Sequence, residues 1–148
     1  MRFWDASALV PLLVAQASTH AMRALLHEDA SGTMWWATPV ECASALARLE
    51  REGRMTARDV STAIARLDTL TRAFDQVLAV EPVRVTAQRL LRSHVLRDAD
   101  ALQLAAAIEA SAGAPGTLPF VCLDERLADA AHREGFVVLG DGDTPPAT

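Results

Sequence analysis

Lysine and tyrosine are absent from this chain of 148 residues, and all 14 of its basic side chains are arginines. Without lysine there is no Schiff-base nucleophile, no lysine general base and no Walker-type phosphate loop. Without tyrosine there is no phenolic chemistry. Cysteine is scarce: Cys42 and Cys122 both sit in apolar surroundings and read better as free buried thiols of a reducing compartment, with a disulfide between them as the alternative. Histidine is scarce too. His20, His27, His94 and His132 have no ligand spacing with each other or with the cysteines, which argues against zinc and assigns them to the surface or to helix ends. No apolar run reaches the roughly 18 residues of a membrane span. The opening "MRFWDASALVPLLVAQ" is interrupted by Asp5 and lacks a small-residue cleavage site, so no signal peptide is read. A cytoplasmic location is the resulting expectation. Positive charge is in deficit as well: the net charge is −5 and the pI near 5.3. That excludes a general basic nucleic-acid coat but leaves room for a nuclease with a local basic rim.

What is present is a hydrophobic majority, 51% of residues, in a chain long enough for one domain with a real core. There is no internal repeat and no interdomain linker. The expected domain covers 1–140, with a polar, flexible tail over 141–148. Strand-like runs at 2–5, 33–36, 76–80, 119–123 and 136–139 alternate with helical patterns at 7–15, 18–30, 38–53, 56–74, 82–95, 99–112 and 124–134. Thr38 is expected to N-cap the third helix with Pro39 at its first position, and Gly53 to close it. Its apolar stripe is Val40, Ala43, Leu46 and Leu49. Thr56 and Asp59 have capping-box spacing at the start of the fourth helix. The runs "FVCL" and "FVVL" are continuously apolar, as in parallel strands covered on both faces. The fold class is therefore α/β: a three-layer α/β/α sandwich around a mostly parallel sheet.

In such folds ligands sit beyond the carboxyl ends of the strands. Asp5 follows the first strand directly and Asp124 the "FVCL" strand. Glu41 and Asp100 lie in the first turns of their helices. Each acid also has a purely structural reading. Asp5 and Asp124 can cap the helices they precede, Glu41 completes the spacing T-x-x-E with Thr38, and Asp98 or Asp100 can cap the helix of "LRDADALQLAAA". Four acids at one rim, however, repel each other. A close pair at an effective dielectric of about 20 costs about 4 kcal/mol. A hard divalent cation, Mg²⁺ or Mn²⁺, is the natural counter-charge for clustered carboxylates.

The segments "FWDASALV", "TPVECASALARLEREG", "LRDADALQLAAA" and "VCLDERLADAAHREGF", in that order and over nearly the whole chain, resemble the PIN-domain ribonucleases, in particular the VapC-like toxins of bacterial toxin–antitoxin pairs. The resemblance implies a Mg²⁺-dependent (or Mn²⁺-dependent) site made by Asp5, Glu41, Asp100 and Asp124, an RNA substrate, a cognate antitoxin and a homodimer. Asp5 and Asp100 would be the main metal ligands. Glu41 and Asp124 would bind a second ion, hold metal-bound water or help to deprotonate it. Cys122 stands where the family often has Thr or Ser, Ala6 where Thr is frequent, and Asp98 where a small or apolar residue is usual; Ser7 keeps the usual small hydroxyl. No carboxylate is lost.

Arginines at the rim would hold the phosphates: Arg48, Arg51 and Arg97 are the candidates, with Arg54 and Arg58 reading better as partners of Glu50, Glu52 and Asp59. Ser7 would position a water or phosphate, or only cap its helix. Met22, Leu25, Leu26 and the helical hairpin around Gly53 offer apolar surface for a partner, or form ordinary core. Two rival classes share the placement of acids. A receiver domain or an aspartate-nucleophile phosphatase also puts Asp at strand ends, but both need lysine, and the phosphatase needs a second Asp where this chain has Ser7. A catalytically silent binding module would use the four acids only as caps.

Overall fold

A computed structural model describes residues 1–140; the expected tail over 141–148 lies outside the described residues. Five strands, β1 (Arg2–Trp4), β2 (Gly32–Trp35), β3 (Asp75–Val77), β4 (Phe120–Val121) and β5 (Val138–Leu139), pair in the order β3-β2-β1-β4-β5. Every pairing is parallel. Four of the strands are shorter than the apolar runs that signal them, and β2 is shifted one residue from its own. Seven helices fill the intervals: α1 (Ala6–Leu13), α2 (Thr19–Glu28), α3 (Thr38–Arg51), α4 (Ala57–Ala73), α5 (Glu81–Ser93), α6 (Asp98–Ala110) and α7 (Glu125–Arg133). One 3₁₀ turn, Pro115–Thr117, lies in the loop read from Gly113, Pro115 and Gly116.

Successive side chains of a strand point to opposite faces, and β1 shows what that does. Phe3 joins one core cluster with buried side chains of α5, α6 and α7, where its ring stacks on Phe120. Trp4 joins the other, with buried side chains of α1 to α4. The sheet is thus covered on both faces, which explains the unbroken apolar character of "FVCL" and completes the α/β/α sandwich. α6 is apolar on every side because it is buried on nearly every side: Ala101, Leu104, Ala105, Ala106 and Ala107 have no exposed surface.

Two local readings fail, each for a tertiary reason. Thr38 is not a cap. Ala37 takes that place without a side-chain bond, and Thr38 is fully buried inside the first turn. Val40, assigned to the apolar stripe, is 67% exposed; the buried face of α3 is carried by Thr38, Cys42 and Leu46. By contrast the Thr56–Asp59 capping box forms with both bonds at 3.1 Å. Gly53, at φ 72°, makes the left-handed turn between α3 and α4.

Candidate metal centre at the carboxyl edge of the sheet

The strand order reverses direction at β1: β2 and β3 lie to one side, β4 and β5 to the other. Loops leaving adjacent strands at such a switch point diverge and open a crevice. Asp5 leaves β1 and Asp124 follows β4 on either side of it, and the backbone N–H of Asp5 still donates to Val121 O at 3.0 Å. Asp100 comes from the first turn of α6 on one layer and Glu41 from the first turn of α3 on the other. The four acids predicted from sequence therefore meet at one edge.

Three of them do act as caps. Asp5 Oδ2 accepts from Ser7 N at 3.0 Å and from the Ser7 hydroxyl. Asp124 Oδ1 accepts from Leu127 N at 2.9 Å, and Asp100 Oδ2 from Arg97 N at 3.4 Å. Each cap bond uses one carboxylate oxygen only. Asp5 Oδ1, Asp100 Oδ1, Asp124 Oδ2 and Glu41 Oε2 accept no hydrogen bond from the described residues. Capping and ligation are thus compatible: one oxygen fixes the side chain, and the other has no partner among the described residues. Glu41 makes no cap bond at all. Its Oε1 accepts from Gln103 Nε2 at 3.0 Å, so the capping-box reading fails for this acid.

The electrostatics record the crowding. Burial, opposed by the Ser7 hydrogen bonds and reinforced by the Asp100 charge, raises the Asp5 carboxyl from 3.8 to about 6. Burial first, then the charges of Asp5 and Asp100, raise Glu41 from 4.5 to about 7. Asp100 is raised by burial and by Asp124, against the pull of its Arg97 N–H bond and of the Arg97 and Arg126 charges. Asp5, Glu41 and Asp100 are thus each held above their usual range by burial first and by a neighbouring carboxylate second. The donor set fits a hard cation: all free donors are carboxylate oxygens. Among the described residues no three His, Cys, Asp or Glu side chains converge as a ready-made cage. Mg²⁺ suits such a spacing, because it keeps several of its waters and binds through one or two carboxylates.

The surroundings brace this arrangement. Ser7 Oγ donates to Asp5 and accepts from Leu123 N at 2.9 Å, tying the β1–α1 turn to the β4–α7 turn. Its proton is committed to Asp5, so Ser7 holds the ligand in place. Cys122 is buried beside Asp5, its Sγ 3.8 Å from Oδ2. Burial and the Asp5 charge push its thiol far up. Cys42 is pushed up to about 12 by the same causes. Both are free, buried thiols. Asp98 is exposed and its Oδ1 accepts from Ala99 N; Arg97, not Asp98, occupies the N-cap position of α6.

The arginine assignments change. Arg48 and Arg51 lie in the last turn of α3, about 10 and 15 Å along the axis from Glu41 at 1.5 Å per residue. Arg97 does stand at the site, its Nε 3.8 Å from Asp100 Oδ2. Arg126, which is not among the sequence candidates, lines an open cleft of about 720 Å³ with Arg97, Leu123, Asp124 and Glu125. Arg54 pairs with Glu52 at 3.9 Å, as expected of a solvated face. His94 is at a helix end, but it is paired, Nε2 lying 2.7 Å from Glu134 Oε1. Met22 is entirely core.

No protein-family model matches the chain. Two curated proteins of Mycobacterium tuberculosis do: Ribonuclease VapC45 and Ribonuclease VapC49, each 34% identical over 134 residues, covering 90% of both chains. The chain belongs to the VapC ribonuclease family. Solved structures share its fold. FitAcB from Neisseria gonorrhoeae superposes with a TM-score of 0.68 at 18% identity, covering 93% of this chain and 96% of that one. PAE2754 from Pyrobaculum aerophilum gives 0.61 at 22% identity over 95% and 86%. A toxin–antitoxin complex from Klebsiella pneumoniae gives 0.61 at 13% over 86% and 91%. The PIN-like architecture expected of a VapC chain is the one observed. Among the described residues no helix is long and apolar enough to cross a membrane.

Proposed function

We propose that this VapC-family chain is a divalent-metal-dependent endoribonuclease and the toxin of a toxin–antitoxin pair. The observation that carries the reading is the set of four carboxylates at the sheet's switch point, three of them pinned through one oxygen and all four with another left free. Asp5 and Asp100 would hold the ion; Glu41 and Asp124 would orient water or accept its proton. Bound there, Mg²⁺ or Mn²⁺ supplies a water of lowered pKa and offsets the charge that grows on the phosphoryl oxygens. Arg97 and Arg126 supply the positive charge that draws a polyanion to an acidic site, and their planar forks suit phosphate oxygens. Leu12, Leu26 and Leu70, with Arg23 and Arg66, line a largely apolar depression between α1, α2 and α4, which suits the antitoxin. Exposed Trp36, Val40 and Leu78 offer apolar surface for a homodimer.

The test is cleavage of RNA by the purified protein with Mg²⁺. Asp5→Ala and Asp100→Asn abolish it, while Asp98→Ala, on an exposed side chain, is much milder. Full activity in either of the first two variants overturns the assignment. If Asp5 and Asp100 were only caps, their substitution would change stability alone and no cleavage would be seen in any protein, wild type included.

A further inference from the structure

Gln103 is the one polar side chain in the apolar body of α6, and it has no exposed surface. A buried primary amide has to find partners, and this one finds two, both on α3. Its Nε2 donates to Thr38 Oγ1 at 2.9 Å and to Glu41 Oε1 at 3.0 Å. The Thr38 hydroxyl also lies 3.2 Å from Gln103 Oε1. The carboxylate fixes which way the amide points, since only the NH₂ end can face it.

The spacing gives this contact its meaning. Thr38 and Glu41 are three residues apart on α3, and Asp100 and Gln103 are three apart on α6, so each pair shares one helix face. α3 and α6 belong to opposite layers of the sandwich. The Thr38–Gln103 contact joins the first turn of α3 to the second turn of α6 through buried polar groups, next to Glu41 and one turn beyond Asp100. With one amide proton on Thr38 and the other on Glu41 Oε1, the glutamate loses the freedom of its long side chain and presents Oε2 in a fixed direction.

We propose that Gln103, braced by Thr38, is a positioning residue that orients Glu41 for metal binding and so couples the two helices that carry Glu41 and Asp100. The inference rests on the assignment of Glu41 to the metal centre. Partners behind a metal's direct ligands commonly change affinity by about 10–100-fold when removed.

The experiment compares the full chain with Gln103→Met, Glu41→Gln and the double variant. Met keeps the volume and loses the amide. The readouts are the Mn²⁺ concentration for half-maximal thermal stabilisation, and KM and kcat on an RNA oligonucleotide. Gln103→Met should raise the half-saturating Mn²⁺ about tenfold and lower kcat at fixed Mg²⁺, with KM for RNA within about twofold. In the Glu41→Gln background it should add less than about twofold, because its target is already gone. A half-saturation unchanged in Gln103→Met, beside a weakened Glu41→Gln, overturns the positioning role alone. So does an equal loss in both backgrounds, which would mean general packing. Unchanged Mn²⁺ binding in Glu41→Gln instead overturns the metal-centre reading of that residue. Should Gln103→Met fail to melt cooperatively, Thr38→Val removes only the brace; it should weaken Mn²⁺ binding in the same direction by about threefold, and no change there overturns the proposal.

Discussion

Replacing Asp5 by Asn stabilises the metal-free protein at mildly alkaline pH while destroying the proposed metal centre. Asp5 is 4% exposed, and its carboxyl is raised from 3.8 to about 6, mainly by burial. The native state therefore holds a proton across the interval from about pH 4 to 6 that the unfolded chain has released. Where the native state binds more protons, stability falls as pH rises. The gap of about 2 pH units corresponds to about 3 kcal/mol, fully expressed above the folded pKa, at 1.36 kcal/mol per unit. Asn carries no charge to bury and remains a good N-cap, so its carbonyl oxygen can still accept from Ser7 N. At about 2–4 °C per kcal/mol for a domain of this size, the variant should melt about 6–12 °C higher at pH 8 with EDTA present. At pH 4 the two melting temperatures should draw together. Adding Mg²⁺ should raise the melting temperature of wild type and leave Asp5→Asn nearly still. Equal melting temperatures at pH 8 in EDTA, or a gap that persists undiminished at pH 4, would refute the reasoning.

Other outcomes follow from single contacts. Arg126→Ala should raise KM for RNA several-fold with little change in kcat, and its salt dependence should weaken, as steady-state kinetics at two ionic strengths would show. Gly32→Ala drives a Cβ into the Phe74 ring in the core and should cost about 1–3 kcal/mol by urea unfolding. Glu134 accepts from Arg89 and pairs with His94, which holds its carboxyl below its usual value of 4.5. A lowered carboxyl contributes stability above its unfolded pKa and loses it as pH falls through the folded one. Glu134→Gln should therefore cost about 1 kcal/mol at pH 7 and nothing near pH 3, read from melts across that range.

Much of the fold was legible because its signals are local. The continuous apolar run 119–123 marked a strand covered on both faces, whereas in 136–139 only Val138–Leu139 pairs and Val137 is 54% exposed at the sheet edge; the Pro and Gly punctuation set the helices within one or two residues. The limit of such signals shows in two matching motifs. Thr56 and Asp59 form the capping box their spacing predicts; Thr38 and Glu41, with the same spacing, do not. The difference is Gln103, some 60 residues away, which takes both side chains for itself. An isolated Gln in a buried apolar helix was the available sign that a polar partner had to exist, but not which one. The four acids were legible as helix starts after strands. Which arginine would serve them was not, since Arg48 and Arg51 share the helix of Glu41 yet sit turns away, while Arg126 comes round from the far side of the switch point.

The central claim is that Asp5, Glu41, Asp100 and Asp124 form one metal centre. Crystals of the protein soaked in Mn²⁺ at a concentration that supports RNA cleavage test it most directly, through anomalous difference density. The account predicts a peak within about 2.5 Å of carboxylate oxygens of Asp5 and Asp100, with Glu41 or Asp124 reaching the ion directly or through water. A peak bound elsewhere, or none at a concentration at which the same protein cleaves RNA, would contradict it.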